Sequence, residues 1–188
     1  MPLKTLQKFK DRNLLSRVKQ KDKDAFIEAY DLYSDDIHRF VYFKVGGNQE
    51  EANDLTSIIF LKTWDYLKQN KVKDSKTLRA LLYKIARTSI IDYYRQNQKT
   101  ISLDDDEHPI EVTDDSSDLL QRLSLNSDLE LIRKKLPELK IEYREVIIMR
   151  YINDLSLEEI ADITGKKKVN IRVLLFRALK ALRELMEQ

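Results

Sequence analysis

The residues best suited to chemistry lie near the C-terminal end of the chain, where basic and amide side chains recur at helical spacing. They are Lys166, Lys167, Lys168, Asn170, Arg172 and Arg177. In the major groove of DNA, arginine can donate two hydrogen bonds to guanine and asparagine can pair with adenine, while lysine neutralises phosphate. The set therefore predicts a surface that binds duplex DNA.

Two predicted helices and a tight turn would hold these side chains in place. Residues 156–159 (Ser-Leu-Glu-Glu) form a capping box that starts a short helix. Gly165 follows Ala161 by four residues, which suits both a close helix crossing and a turn with positive φ. Ile171 and Leu174 should then face back toward Ala161. Because these features coincide with a basic outward face, they favour a DNA-binding helix-turn-helix over a purely structural hairpin.

The composition favours an all-α protein, since the 188 residues include only three Gly and three Pro. There is no cysteine, which excludes disulfides and thiolate metal ligands. His38 and His108 stand apart from any cluster of carboxylates or histidines, so the sequence predicts neither a metal nor another cofactor, and no enzyme. Without a signal-peptide core or a long apolar segment, the chain is expected to be cytoplasmic, with no membrane insertion.

The formal net charge of +2 hides an uneven distribution along the chain. Residues 1–23, 71–99 and 164–188 are rich in Lys and Arg, whereas residues 101–118 carry eight acidic side chains and no basic one. This order suggests two polyanion-binding surfaces separated by an acidic tether. Solvated helix faces joined by a disordered linker would give the same charge blocks.

Apolar residues at intervals of three and four predict three long helices in the N-terminal half. The first runs from about 24 to 45 and ends at Gly46 and Gly47, the second begins at Asn48, and the third is marked by apolar residues from 78 to 93. The expected buried stripes are Phe26, Tyr30, Tyr33, Ile37, Phe40 and Val41 in the first helix, and Leu55, Ile58, Ile59, Leu61, Trp64 and Leu67 in the second.

Residues 99–116 are acidic, contain Pro109 and lack an apolar period, which predicts a flexible tether. Helical periodicity resumes at Leu119, and Pro137 is expected in the first turn of a helix that carries Leu139 and 146–148. We therefore predict two helical domains, residues 1–98 and 117–188, joined by a flexible acidic linker over residues 99–116.

Several segments resemble the extracytoplasmic-function (ECF) group of the sigma-70 family. Residues 155–161 (LSLEEIA) and 170–182 (NIRVLLFRALKAL) are similar to its fourth region, which binds the minus-thirty-five element. Residues 25–30 (AFIEAY), 60–64 (FLKTW) and 82–87 (LYKIAR) are similar to its second region. The resemblance covers nearly the whole chain except the tether, and it implies a sigma factor that directs RNA polymerase to promoters and starts transcription.

The resemblance also implies roles for particular residues. The residues implied for the minus-thirty-five element are Ser156, Lys166, Lys167, Lys168, Asn170, Arg172 and Arg177. Those implied for the minus-ten element are Lys84, Arg87, Thr88, Asp92 and Arg95, and those implied for polymerase docking are Asp54 and Leu55. The partners would be bacterial core RNA polymerase (clamp and flap), promoter DNA and an anti-sigma factor, with no cofactor.

Three positions, in two places, depart from the family's pattern. Ser57 and Ile58 stand where the family usually has a Gln and an acidic residue after the Asp-Leu pair, and Thr88 stands where many members have Asn. These differences bear on the clamp contact and on the preferred minus-ten sequence.

Other interpretations remain open at this stage. The chain could be a helix-turn-helix regulator that binds DNA as a dimer without polymerase, or a helical adaptor that does not bind DNA. Trp64 could belong to the core or serve as a platform for an unpaired base. Tyr83, Tyr93 and Tyr94 lie among basic residues, as aromatic residues do in proteins that bind single strands.

Overall fold

The computed structural model describes residues 3–69, 76–97 and 134–187, and all the regular structure within these ranges is helical. The chain divides into two compact units, Met1–Ile101 and Ser102–Gln188. The predicted tether and the apolar segment that begins at Leu119 lie outside the described residues. No helix within the described ranges is long and apolar enough to span a membrane.

The described residues of the first unit form four helices: α1 (Leu3–Lys19), α2 (Lys23–Lys44), α3 (Gln49–Lys68) and α4 (Leu78–Asn97). Helices α2, α3 and α4 pack against one another, and α1 packs on α2 and α4. This arrangement confirms the three long helices predicted from the apolar spacing.

Side chains at the helix starts explain where these helices begin. The carboxylate of Asp22 accepts a hydrogen bond from the backbone of Ala25 at 3.0 Å, which caps α2. The side chain of Asn48 accepts from the backbone of Glu50 and Glu51, which caps α3 as predicted. The predicted break at 46–47 is also confirmed, since both glycines have positive φ.

The predicted buried stripes were wrong at three positions. Tyr30, Ile58 and Leu61 are 44%, 42% and 65% exposed. In α3 the core instead receives Thr56 and Thr63, which are buried. Their hydroxyls donate to backbone carbonyls one turn earlier at 2.7 Å, so a polar side chain enters the core with its hydrogen bond satisfied inside its own helix.

A buried carboxylate joins three helices of this unit. Asp11 of α1 is 4% exposed and accepts a hydrogen bond from the Tyr33 hydroxyl of α2. It also accepts from the backbone N–H of Arg79 in the first turn of α4, at 3.2 and 3.4 Å to its two oxygens. Burial raises the pKa of the Asp11 carboxyl, and these hydrogen bonds oppose the rise. Apolar spacing gave no sign of this contact.

In the described part of the second unit, a short 3-10 turn (Leu136–Glu138) is followed by α5 (Ile141–Ile147) and a π-helical turn (Ile148–Ile152). The prediction of one helix from Pro137 onward was therefore wrong. Leu139 is extended, with ψ of 153°, and separates the 3-10 turn from α5. Pro137 lies in the 3-10 turn, where its missing N–H costs nothing.

The chain then forms α6 (Leu157–Thr164) and α7 (Lys168–Met186), the two helices of the predicted helix-turn-helix. Helix α7 packs on both α5 and α6. Its buried side is formed by Ile171, Leu175, Ala178, Leu179 and Leu182. Leu174, which was expected to face α6 together with Ile171, is only partly buried. At 3.6 residues per turn, Leu175 lies closer to the middle of the buried side.

Gly165 ends α6 with φ of 73°, as the spacing predicted. A Cβ placed at this position would have no neighbour within 4 Å. The need for glycine therefore comes from the left-handed backbone alone.

Replacing Asp11 with Ala should destabilise the first unit by about 1 to 3 kcal/mol, because the Tyr33 hydroxyl and the Arg79 N–H would lose their buried acceptor. Tyr33→Phe should lower the free energy of unfolding by only about 1 kcal/mol, since Asp11 keeps the hydrogen bond from the Arg79 backbone. The chain has a single tryptophan, Trp64 in α3, so urea unfolding followed by its fluorescence reports on this unit. Equal urea midpoints for wild type and Asp11→Ala would contradict the structural role.

Gly165→Ala should lower the stability of the second unit by about 1 kcal/mol, because alanine disfavours the left-handed region. Gly165→Asn should cost less, since asparagine tolerates that conformation. Thermal unfolding followed by circular dichroism measures both effects, and Trp64 fluorescence in the first unit serves as the internal control. A larger loss with Asn than with Ala would show that side-chain volume, and not φ, limits this position.

Candidate nucleic-acid interface

The first helix of the helix-turn-helix starts at a complete capping box, as predicted. The Ser156 hydroxyl accepts a hydrogen bond from the backbone N–H of Glu159 at 3.2 Å. In return, the Glu159 carboxylate accepts from the Ser156 backbone N–H at 2.8 Å and from its hydroxyl at 2.7 Å. Ser156 is therefore engaged in fixing the start of α6, where it was also predicted to contact DNA.

The structure places the other six predicted minus-thirty-five residues at the turn and on the first three turns of α7. Lys167, Lys168, Asn170 and Arg172 are exposed. Lys166 and Arg177 are partly buried. No charged member of the set lies on the buried side of α7, so the helix presents its basic and amide groups outward.

Two of these lysines form ion pairs with glutamates of neighbouring helices. Lys166 Nζ lies 3.3 Å from a carboxylate oxygen of Glu142 in α5. Lys168 pairs with Glu158 in the first turn of α6. Exposed pairs of this kind contribute little to stability, so a phosphate can replace the carboxylate at low cost.

The outward side of α7 also carries apolar residues, which the pattern of basic side chains did not predict. Val169 is 66% exposed and Phe176 is 38% exposed, and Val173 between them is partly exposed. Their spacing of four and three residues was available in the sequence. It was missed because the basic residues alone were assigned to that side.

In the first unit, α4 carries the residues predicted to meet the minus-ten element. Thr88, Asp92 and Arg95 are exposed, while Lys84 and Arg87 are partly buried. Lys84, Thr88, Asp92 and Arg95 follow at intervals of four, four and three, which places them along one side of the helix. Four of the five predicted residues therefore share one side of α4, and Arg87 lies away from that side.

Helix α3 supplies a further cation beside this surface. Lys62 Nζ lies 3.7 Å from a carboxylate oxygen of Asp92 and 3.3 Å from the Ser89 hydroxyl. The Thr88 hydroxyl donates to the backbone carbonyl of Ile85 at 2.9 Å, so it lies against its own helix. Lys62 was not singled out from the sequence because it belongs to a different helix.

The aromatic residues near this surface differ in accessibility. Tyr83 is fully buried, and burial raises the pKa of its hydroxyl, so it is a core residue and not a stacking platform. Tyr94 is partly buried and donates its hydroxyl proton to the carbonyl of Lys44 at 2.6 Å. Trp64 is partly exposed and packs on Phe26, with ring centroids 4.8 Å apart.

The two residues predicted to dock on polymerase behave differently. Asp54 is exposed on α3, whereas Leu55 is 6% exposed and belongs to the core. Leu55 can therefore fix the orientation of α3, but its side chain offers little surface to a partner. Exposed Ile58 lies one turn after Asp54.

Two family models match segments of the chain that contain the two candidate surfaces. The family model "Sigma-70 region 2" matches residues 29–100, and "Sigma-70, region 4" matches residues 129–182. ECF RNA polymerase sigma factor SigW of Bacillus subtilis is 30% identical over 177 residues, which are 90% of this chain and 93% of SigW. ECF RNA polymerase sigma factor BldN of Streptomyces coelicolor is 29% identical over 92% of this chain, and the match spans 64% of BldN.

Solved structures show the same fold. CnrH, solved in complex with the cytosolic domain of CnrY, has a TM-score of 0.68 at 20% identity, covering 94% of this chain and 97% of CnrH. RpoE of Bartonella quintana, solved with the anti-sigma factor NepR, has a TM-score of 0.61 at 24% identity, covering 86% of this chain and 96% of RpoE. From the two region matches and the full-length similarity to SigW, the chain belongs to the ECF group of sigma-70 family RNA polymerase sigma factors.

Proposed function

We propose that this chain directs core RNA polymerase to specific promoters, with residues 1–98 recognising the minus-ten element and residues 117–188 the minus-thirty-five element. Residues 99–116 would be the linker between them. The observation that carries the proposal is the set of exposed basic and amide side chains on α7 beside a complete helix-turn-helix. Family membership supports the polymerase as the partner that both domains serve.

At the minus-thirty-five element, Asn170 and Arg172 would contact base edges from the first two turns of α7. Lys166, Lys167 and Lys168 would neutralise phosphates, and Arg177 would add a contact further along the helix. Ser156 would contribute through the start of α6, since its hydroxyl is held by Glu159.

At the minus-ten element, Lys84, Arg87 and Arg95 would attract the strand, with Thr88 and Asp92 setting the base preference. Asp92 already has a cationic neighbour in Lys62, at 3.7 Å. That pairing supports a role in which Asp92 orients Lys62 as well as facing the strand.

Docking on the polymerase clamp would use the exposed side of α3 around Asp54. Leu55 would support this contact from the core, because its side chain is buried. Core polymerase contacts through clamp and flap would hold the two DNA-binding domains at a fixed spacing. A single helix-turn-helix buries only about 600 to 1,000 Å² on DNA, so each domain by itself should bind weakly and both are needed.

An anti-sigma factor is a further proposed partner. The similar protein RpoE was solved with the anti-sigma factor NepR, and CnrH with the cytosolic domain of CnrY. A protein that covers the basic side chains of α4 or α7 would keep the chain from promoters. We place the chain in the cytoplasm, where polymerase acts.

Run-off transcription with purified core polymerase tests the proposal most directly. Adding the chain should give transcripts that start at fixed positions on a genomic fragment library, and core polymerase alone should not. A stable dimer that binds palindromic sites without polymerase would instead favour the regulator. Failure to bind core polymerase would overturn the proposal.

Arg172→Ala should weaken binding to the preferred minus-thirty-five sequence by about 1 to 3 kcal/mol and relax the choice of base at one position. The physical reason is the loss of paired hydrogen bonds to one base edge. Competition between the preferred site and its single-base variants, measured with the reconstituted polymerase complex, gives both quantities. An equal loss on every sequence would assign Arg172 to phosphate.

Lys167→Ala should weaken binding to all sequences alike, because a phosphate contact carries no sequence information. The slope of log affinity against log salt should fall in magnitude by about one. Lys180→Ala is the matched control, since Lys180 is exposed on the same helix more than three turns further along. An identical change of slope for both variants would point to general electrostatic attraction instead of a local contact.

A further inference from the structure

The outward side of α7 is not uniformly polar. Val169, Val173 and Phe176 are spaced by four and three residues, so they form a row along one side of the helix. Val169, at 66%, has the largest exposed fraction of any large apolar side chain in residues 10–69, 76–96 and 134–187. Single exposed apolar residues are common on protein surfaces, whereas a row in the middle of a binding surface calls for a partner.

The charges beside this row indicate what the partner is. Lys168, Asn170 and Arg172 flank Val169 and are all exposed. An apolar protein surface that packed on Val169 would also bury these cations without neutralising them, which is energetically unfavourable. Duplex DNA supplies both requirements, since its phosphates neutralise the cations and its major groove contains one apolar group, the C5 methyl of thymine.

Position along the helix distinguishes Val169 from Phe176. In a helix-turn-helix, residues at the N-terminal end of the second helix reach the base edges. Val169 lies in the first turn of α7. Phe176 lies about 10 Å further along at 1.5 Å per residue, close to the full width of the groove, which is about 12 Å.

We infer that Val169 contacts a thymine methyl group in the minus-thirty-five element and, with Asn170 beside it, selects an A·T base pair. The inference rests on the proposed function and adds a specificity determinant to it. Asparagine pairs with the N6 and N7 edge of adenine, and the thymine of the same or the next base pair presents its methyl to an aliphatic side chain. The two neighbouring residues thus read the two chemical features that mark A·T in the major groove.

The test removes the methyl group from the DNA and the side chain from the protein, separately and together. Minus-thirty-five sequences are first selected from a randomised promoter library with the reconstituted complex of core polymerase and the full chain. Each thymine of the selected element, on either strand, is then replaced by deoxyuridine, which lacks the methyl. Affinities are measured for wild type, Val169→Ala and Ile141→Ala, the last being an exposed aliphatic residue of α5 outside the proposed contact.

For wild type, replacement of one particular thymine should weaken binding about fourfold, as expected for one methyl group brought out of water. Val169→Ala should weaken binding to thymine DNA by a similar factor and show little further loss at that deoxyuridine. Ile141→Ala should keep the wild-type sensitivity. Circular dichroism of the variants checks that α7 is intact.

Other results overturn the inference. These are a wild-type complex indifferent to every replacement, an unchanged fourfold loss in Val169→Ala, or a selected element with no A·T pair. If Val169→Ala lowers transcription without changing DNA affinity, the row contacts polymerase instead. If no minus-thirty-five sequence is selected, both the proposed function and the inference are wrong. If a sequence is selected but the effects of Val169→Ala and of the deoxyuridine replacement are simply additive, only the inference is wrong.

Discussion

The burial of one side of α7 is the constraint on which the candidate DNA surface depends. Helices α5 and α6 both pack on α7, and the buried residues follow a period of 3.6. Turning α7 by one residue, about 100°, would bring Ile171 or Leu175 into water and push a charged side chain into the core. The core thereby determines the direction in which Asn170 and Arg172 point, although neither residue contributes to it.

Both candidate surfaces carry negative charges of their own. Lys166 and Lys168 pair with glutamates on the helices that pack against α7, and Lys62 pairs with Asp92 on the candidate surface of α4. Exposed carboxylates lower the general attraction to any polyanion while leaving hydrogen-bond donors able to reach a matching site. Phosphate contacts dominate the affinity for non-specific DNA. A weaker electrostatic attraction therefore helps a protein that must dissociate quickly from non-specific sites.

Much of the fold could be predicted from the sequence, and the reasons are local. The capping residues Asn48 and Ser156 and the glycine at 165 act within a few positions, so their effects are visible in short segments. Ile58 and Leu61 of α3 were assigned to the core because hydrophobic spacing does not reveal when threonine hydroxyls will be satisfied within a helix. Asp11 could not be predicted, since its donors come from two other helices.

The candidate site was predictable to a similar degree. The polar members of the α7 surface were recognised by residue type, and the structure brings them together. Leu55 was named for docking from the resemblance, yet burial limits it to a supporting role. Val169 was overlooked because an aliphatic residue does not indicate function until its exposure is known.

The bond from the Arg79 backbone to Asp11 joins positions 68 residues apart. During synthesis Asp11 leaves the ribosome first, and the start of α4 follows only after two further helices have been made. A carboxylate in water is well solvated, so a nascent α1 has little reason to bury Asp11 before the Arg79 N–H is available to donate to it. We therefore expect the four helices to pack together in one late step. On a ribosome that is stalled before residue 79 has been synthesised, the earlier helices should not yet be packed.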